Sequence, residues 1–118
     1  MLVVDDEPRL LRLFAGLIER LDCVAIQAQS GALALDILDQ RTPDLLILDL
    51  AMPEISGFQV LQAVRGIPRL GKMKVLILTA RPSMVPEVEV LGIDGWVSKP
   101  VLPGDFLDAV AHVLFDQT

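Results

Sequence analysis

Short apolar runs alternate along this chain with segments in which apolar residues recur every three or four positions. The runs are too short for buried helices, so they predict strands at residues 1–4, 23–28, 44–49, 74–79 and 96–98. The periodic segments predict helices at residues 8–21, 30–42, 56–65, 81–91 and 103–116. Pro8, Ser30 and Ser56 are residue types typical of helix starts.

The strict alternation of strands and helices predicts a parallel sheet covered by helices on both faces. Because crossovers between parallel strands are right-handed, five strands and five helices predict a flavodoxin-like doubly wound α/β fold with strand order 2-1-3-4-5. Residues 1–118 are expected to form one domain. The chain begins inside a predicted strand, which suggests that a few residues precede it in the full protein.

Two segments carry more specific expectations. The fourth predicted helix contains Pro82 and Pro86 near its start, which predicts a short or distorted helix. Its apolar residues, within 84–91, are the predicted candidates for a dimer face. Cys23, the only cysteine, is predicted to be a small buried hydrophobe on the second strand, and a single cysteine excludes an internal disulfide.

Composition and charge exclude several classes of protein. Hydrophobic residues make up 53% of the 118 residues, which excludes disorder, and the apolar runs fall far short of the roughly 20 residues that cross a bilayer. Acidic residues interrupt the apolar start, so no signal peptide is predicted and a cytoplasmic location is expected. The net charge is −6 with scattered basic residues, which argues against direct nucleic-acid binding.

Complementary polar groups follow the predicted strands, where parallel sheets place their functional sites. Asp5 and Asp6 follow the first strand, Asp49 ends the third, Thr79 ends the fourth and Lys99 follows the fifth. Three close carboxylates repel one another unless a cation lies among them, and oxygen ligands without His or Cys favour Mg²⁺. A phosphoryl group on Asp49 would find a metal, an ammonium group and a hydroxyl around it.

Each of these residues taken alone has an ordinary explanation. An aspartate at a strand end is often a helix cap, Thr79 could be a turn residue, and Lys99 could be a solvated surface charge. Trp96 alone would be interpreted as a core aromatic. Four strand ends with complementary groups are difficult to explain by capping.

The four motifs also resemble the receiver domain of two-component response regulators, of the chemotaxis-regulator type. Residues 3–8 resemble the acidic-pair motif, 43–57 the phosphoacceptor strand and its loop, 76–80 the hydroxyl motif, and 96–100 the lysine motif. The resemblance covers essentially the whole chain. The four motifs in this order at this spacing are specific to the family.

The resemblance implies a role for each matching residue. Asp49 would take a phosphoryl group from a histidine kinase or a phosphotransfer protein. Asp6, Asp49 and the backbone carbonyl of Ala51 would bind Mg²⁺ directly, and Asp5 would bind it through water. In the same way, Ala51 and Arg81 would set the lifetime of the phosphoryl group.

The resemblance further implies a switch. Thr79 and Lys99 would bind the phosphoryl oxygens, and the small Ala80 would leave access to them. Thr79 would move toward the phosphate while the ring of Trp96 turns inward, and the bond before Pro100 would be cis. The fourth helix, fifth strand and last helix would then control a partner protein, an output domain or a homodimer.

Three alternatives from other classes remain open at this point. An aspartyl-phosphate phosphohydrolase would need a second carboxylate two residues after Asp49, where this chain has Ala51, so no enzymatic turnover is expected beyond slow self-dephosphorylation. A flavin-binding module would place a phosphate against Asp5, Asp6 and Glu7, which would repel it. An interaction domain that works without phosphorylation is the strongest rival.

Overall fold

The computed structural model describes residues 1–115, whose elements alternate as the sequence predicts. The strands are β1 (Leu2–Val4), β2 (Ile26–Ala28), β3 (Leu45–Asp49), β4 (Lys74–Thr79) and β5 (Gly95–Ser98). The helices are α1 (Pro8–Glu19), α2 (Gly31–Gln40), α3 (Gly57–Arg65), α4 (Val85–Glu89) and α5 (Pro103–Phe115), with turns of 3₁₀ helix at Pro68–Leu70 and Pro82–Met84. The predicted end of the last helix at Asp116 lies outside the described residues.

All five strands pair in parallel in one sheet with the order β2-β1-β3-β4-β5. This confirms the predicted flavodoxin-like fold. β3 lies at the centre and is buried along its whole length, because Leu45, Leu46, Ile47 and Leu48 offer apolar side chains to both faces of the sheet. The carboxyl ends of β1, β3 and β4 therefore meet at one edge of a fixed scaffold.

The helices cover the sheet on both sides and form two apolar cores. One core joins the sheet to α2, α3 and α4, and the other joins it to α1 and α5. Phe14 of α1 stacks on Phe106 of α5, with ring centroids 4.6 Å apart. Within residues 1–115 no helix combines the length and the apolar character needed to cross a membrane.

β2 is shorter than predicted, and the prediction for Cys23 is wrong. The strand begins at Ile26, which lies opposite Leu2, the first residue of β1. Before it, the Met1 amino group donates to the Val24 carbonyl at 2.7 Å, and the Ile26 N–H donates to the Met1 carbonyl at 2.8 Å. Asp22 has φ 59°, a left-handed conformation that turns the chain after α1. Cys23 lies in this connection, partly exposed, with its Sγ 3.4 Å from the carbonyl oxygen of Leu21.

The prolines shorten the fourth helix as predicted. Pro82 opens the 3₁₀ turn, and Pro86 lies in the first turn of α4, where its missing N–H breaks no helical hydrogen bond. A dimer face in this segment remains a prediction, but the structure reduces the number of exposed apolar residues that could form it. Val85 and Val88 are buried in the core, since a five-residue helix needs both to attach it to the sheet, and only Val90, 85% exposed, faces solvent fully.

Candidate functional site

Three carboxylates lie together at the carboxyl edge of the sheet. Asp5 and Asp6 follow β1, Asp49 ends the adjacent β3, and one oxygen from each lies within 4.8 Å of the others. Asp5 is fully buried, Asp49 is 3% exposed and Asp6 is partly exposed. The structure therefore brings these three side chains together, and their roles stay predictions.

Lys99 follows β5, and its side chain extends past the end of β4 to the carboxylates. Its Nζ lies 2.9 Å from Asp5 Oδ2 and 3.5 Å from Asp49 Oδ1. The Lys99 backbone N–H donates to the carbonyl of Thr79 at 2.7 Å, and the Lys99–Pro100 peptide bond is cis. The Lys99 backbone is thus held by the end of β4, and its ammonium group is shared between two carboxylates, with the shorter contact to Asp5.

The surroundings of Asp49 disfavour its ionised form. Burial raises the pKa of Asp49 to about 6, and the charges of Asp5 and Asp6 add to the increase, while Lys99 and the Ala51 N–H act in the opposite direction. Burial alone would lower the pKa of Lys99, but its hydrogen bond to Asp5 and the charges of Asp49 and Asp5 raise the pKa above its usual value. Lys99 therefore stays charged, and Asp49 would gain from a further cation.

The two oxygens of Asp49 are not equivalent. Oδ1 accepts a hydrogen bond from the Ala51 N–H at 3.3 Å and is the oxygen nearer to Lys99. Within residues 1–115 the hydrogen bonds and ion pairs of this carboxylate all use Oδ1. Oδ2 is therefore the oxygen available to attack an electrophile.

The donor chemistry of the cluster fits Mg²⁺. Asp5 is already committed, since its Oδ1 accepts the Glu7 N–H at 2.9 Å and its Oδ2 holds Lys99. Asp6 is partly exposed, and one of its carboxylate oxygens lies within 4.8 Å of an Asp49 carboxylate oxygen. Hard oxygen donors without sulfur or imidazole favour Mg²⁺, which keeps several waters and uses one or two carboxylates.

The Thr79 hydroxyl is turned toward the loop that follows β4. It accepts a hydrogen bond from the Arg81 N–H at 2.9 Å and lies 3.2 Å from the Arg81 carbonyl, to which it donates. Thr79 is buried, whereas Ala80 and Arg81 are exposed. Among the described residues no hydrogen bond joins this hydroxyl to the site carboxylates.

Trp96 lies on β5 with 44% of its surface exposed. It is therefore not the core aromatic that an isolated tryptophan would suggest. Its neighbours Gly95 and Val97 face α5, so the alternation of the strand places Trp96 away from that helix. The proposed role of Trp96 as a switch remains a prediction.

The loop from Asp49 to α3 is fixed by Gly57, which the sequence marks only as a turn residue. A Cβ on Gly57 would lie 2.2 Å from the carbonyl oxygen of Asp49 and 2.7 Å from Cα of Leu50. The Gly57 N–H also donates to the Leu50 carbonyl at 3.0 Å. The only sequence signal was a glycine immediately after the Ser56 cap.

The start of α3 carries a capping box. The Ser56 hydroxyl accepts from the Gln59 N–H, and the Gln59 side chain accepts from the Ser56 N–H. We expect Ser56→Ala to lower the free energy of unfolding by about 1 kcal/mol, measured by urea denaturation. Ser83→Ala, at an exposed serine of the 3₁₀ turn, is the control, and equal losses in both variants would contradict the role of the box.

Comparisons with known proteins identify the family of this chain. Residues 1–111 match the sequence profile of the family described as the response regulator receiver domain. The polar-differentiation response regulator DivK of Brucella ovis is 29% identical over 118 residues, covering 98% of this chain and 96% of the relative.

Two solved structures illustrate the similarity of the fold. The chemotaxis response regulator CheY4 of Vibrio cholerae superposes with a TM-score of 0.90 at 28% identity, over 96% of each chain. The bacteriophytochrome response regulator RtBRR superposes with a TM-score of 0.82 at 33% identity, over 95% of this chain and 75% of its own.

Proposed function

Because the chain belongs to the response regulator receiver domain family, we propose that Asp49 is a phosphoacceptor and that its phosphorylation controls a partner. Receiver domains in general act in two-component signalling with histidine kinases and output partners. The observation that supports the proposal most directly is the Asp49 carboxylate, buried among Asp5, Asp6 and Lys99 with its Oδ2 uncommitted.

The proposed reaction is an in-line transfer to Asp49. Oδ2 attacks the phosphorus of a phosphohistidine on the kinase or phosphotransfer protein, and an O–P bond forms as the N–P bond breaks. The electron pair of the N–P bond goes to the imidazole nitrogen, and the histidine leaves as neutral imidazole because its other ring nitrogen carries a proton. The other groups of the site orient the phosphoryl oxygens and balance their charge.

Asp6, Asp49 and the Ala51 carbonyl would hold Mg²⁺, and Asp5 would contact it through water. The ion would supply positive charge that neutralises the phosphoryl oxygens and the crowded carboxylates. Asp6 suits this role because its carboxylate is partly exposed, whereas Asp5 is already engaged by Lys99.

Lys99 and Thr79 would bind the transferred group. Lys99 is close enough to Asp49 to move its ammonium from Asp5 to a phosphoryl oxygen. The Thr79 hydroxyl would break its hydrogen bond to the Arg81 carbonyl and donate instead to a second phosphoryl oxygen. That movement, followed by inward rotation of the Trp96 ring, would shift the populations of two conformations of the surface formed by α4, β5 and α5.

Two exposed residues would set the lifetime of the phosphoryl group. Ala51 and Arg81 border the site and are open to solvent, so their size and charge would govern the approach of hydrolytic water. Ala51 offers no carboxylate to act as a general base. We therefore propose slow self-dephosphorylation at most, without enzymatic turnover.

The second candidate function is a receiver-like interaction domain that works without phosphorylation. The observation in its favour is α4, which is reduced to five residues beside the proposed output surface. Such a helix could present a fixed surface to a partner. The complete set of site residues favours the phosphoacceptor.

The proposal is tested by phosphorylating the chain with acetyl phosphate and Mg²⁺ and measuring its intact mass. We expect the mass of one phosphoryl group to be added, with the modification mapping to Asp49. Asp49→Asn should remove it, and EDTA should suppress it. Asp44→Asn, at an exposed carboxylate before β3, is the matched control and should be phosphorylated normally.

Failure to add phosphate to the unaltered chain, under conditions in which Mg²⁺ binding is detected, would reject the phosphoacceptor function. The interaction domain would then become the preferred explanation. Phosphate at a residue other than Asp49 would likewise contradict the assignment.

A further inference from the structure

A depression with a volume of about 570 Å³ lies at the amino end of β4, bounded by the end of α3 and by the connection from α4 to β5. Lys74 begins β4 and Thr79 ends it, so five steps of about 3.3 Å place the depression roughly 17 Å from the carboxyl edge of the sheet. The depression is therefore separate from the phosphoacceptor site. Its volume lies within the range of about 300–1,000 Å³ that is usual for small-molecule sites.

The charged side chains that line the depression are mostly cationic. Arg65, Lys72 and Lys74 carry three positive charges and Asp94 carries one negative charge, which leaves +2 on a chain whose net charge is −6. Glu89 lines an adjoining depression, and the end of α3 contributes about half a negative charge. The local charge remains positive even when both are counted.

One of the three cations is already balanced by the protein. Lys74 lies 3.8 Å from Asp94, whose other carboxylate oxygen accepts the Val75 N–H at 2.8 Å. Lys72, in contrast, is exposed and makes no hydrogen bond or ion pair within residues 1–115. Its ammonium group can therefore pair with an anion without breaking a contact within the protein.

Arg65 is oriented by a single hydrogen bond and keeps other donors unused. Its Nη2 donates to the carbonyl of Gly92 at 2.5 Å, which is the one partner of this guanidinium among the described residues. Its Nε is the one buried side-chain nitrogen or oxygen within residues 1–115 that has no hydrogen-bond partner. A guanidinium has five N–H groups in a planar fork. A cation at a helix end also balances the helix dipole, but that role leaves Nη1 without an acceptor.

We propose that this depression binds a small organic phosphate. The phosphate group accepts hydrogen bonds from Arg65 Nη1 and Lys72, and the organic part lies against Met73 and Ile93, which also line the depression. A phosphate monoester carries about −1.5 to −2 charges at pH 7 and so matches the two uncommitted cations. This binding site goes beyond the proposed function and does not rest on it.

An organic phosphate suits the depression better than a carboxylate or a bare phosphate ion. Three terminal oxygens on one phosphorus can face Arg65 and Lys72 together, although the two cations belong to different segments of the chain. A carboxylate presents two oxygens in one plane. A bare phosphate ion would leave most of the volume to water, because one water molecule takes only about 30 Å³.

The test is an NMR titration of the complete chain, in which the backbone amide shifts are followed in EDTA at constant ionic strength. EDTA removes divalent cations that would hold a phosphate beside Asp49. Phenyl phosphate is the probe, with phthalate as a carboxylate of equal charge and inorganic phosphate as the bare ion. We expect saturable shifts at residues 71–74 and 92–94, and an affinity for phenyl phosphate at least about threefold higher than for the other two ligands.

The outcomes of this titration are distinguishable. Equal or tighter binding of phthalate would make a carboxylate the ligand and overturn the proposal. Equal or tighter binding of inorganic phosphate would reduce the depression to a site for a bare ion and overturn it too. Shifts confined to the surroundings of Asp49 would place the ligand in the phosphoacceptor site instead.

Three variants separate local recognition from bulk attraction. Lys72→Gln should weaken phenyl phosphate binding by roughly threefold, and its folding is not at risk because Lys72 has no partner among the described residues. Arg65→Lys keeps the charge but removes the fork, and should weaken binding by roughly fivefold.

Arg12→Gln is the matched control for the loss of one positive charge. Arg12 is exposed on α1, which packs on the opposite face of the sheet from α3. This variant should change the affinity by less than about 1.5-fold. Equal losses in Lys72→Gln and Arg12→Gln would show bulk attraction and overturn the proposal.

Phosphorylation of the same samples, measured by intact mass, keeps the two proposals apart. Lys72→Gln should accept phosphate on Asp49 as the unaltered chain does. Normal phosphorylation without saturable shifts in the unaltered chain would overturn this inference alone. Saturable binding of phenyl phosphate without phosphorylation of Asp49 would overturn only the phosphoacceptor function.

Discussion

We expect Gly57→Ala to destabilise the protein by about 3 kcal/mol or more. The added methyl group would lie 2.2 Å from the Asp49 carbonyl oxygen and 2.9 Å from its carbonyl carbon. Both atoms belong to the backbone at the end of the central strand, so no side chain can rotate to make room. The loss is a large fraction of the 5–15 kcal/mol typical of a domain.

The same substitution should also disturb the site. Relief of the clash requires the backbone at Asp49 and Leu50 to separate from the start of α3, and this weakens the hydrogen bond from the Gly57 N–H to the Leu50 carbonyl. The carboxylate of Asp49 would then shift relative to Asp6. We expect weaker Mg²⁺ binding in whatever fraction of the variant folds, measured by calorimetry.

Gly16→Ala is the matched control for a glycine-to-alanine change. Gly16 lies inside α1, and a Cβ there would meet no atom within 4 Å. This variant should be more stable than the original by about 0.5–1 kcal/mol, because alanine loses less backbone freedom on folding. Urea denaturation of the three proteins measures both effects, and a neutral Gly57→Ala would show that the loop adapts freely.

The placement of the site residues could be predicted because strand ends are visible in the sequence. Asp49 and Thr79 close uninterrupted apolar runs, and parallel pairing brings such ends to one edge of the sheet. The contacts among the residues could not be predicted. Lys99 lies 2.9 Å from Asp5 and 3.5 Å from Asp49, a difference that only the packed fold determines.

The errors in the sequence-based interpretation have a common physical origin. The apolar run predicts a second strand from residue 23, whereas the strand needs β1 beside it and begins at Ile26, opposite Leu2. The apolar residues within 84–91 are predicted as candidates for an exposed face, yet Val85 and Val88 among them are buried. Spacing identifies the members of a helical face but not the side of the helix that meets the sheet.

The second large effect concerns Asp49→Asn, which we expect to increase stability when EDTA removes divalent cations. Burial and the charges of Asp5 and Asp6 raise the pKa of Asp49 from 3.8 to about 6, so the fold disfavours the carboxylate. A shift of about two pKa units corresponds to about 3 kcal/mol. Asparagine removes the charge, and Lys99 keeps Asp5 as its partner. We expect a net gain of about 1–2 kcal/mol at pH 8.

The pH dependence has a definite sign. The folded pKa is raised above the unfolded value, so the unaltered chain suffers no penalty from Asp49 below pH 3.8 and the full penalty above pH 6. Its stability relative to Asp49→Asn therefore falls as the pH rises through this window. The advantage of the variant should be small at pH 4 and largest at pH 8, measured by urea denaturation at each pH in EDTA.

Mg²⁺ should reduce or reverse the stability advantage of Asp49→Asn over the unaltered chain. A cation that binds the folded state stabilises it, and the gain increases with its affinity. At ten times its dissociation constant it adds about 1.4 kcal/mol to the unaltered chain and less to Asp49→Asn, which lacks one ligand charge. Asp36→Asn, at an exposed carboxylate of α2, should behave like the original protein throughout. If Asp49→Asn is the less stable protein at pH 8 in EDTA, the ionised Asp49 carboxylate does not destabilise the fold. The electrostatic explanation for cation binding at Asp49 would then be wrong.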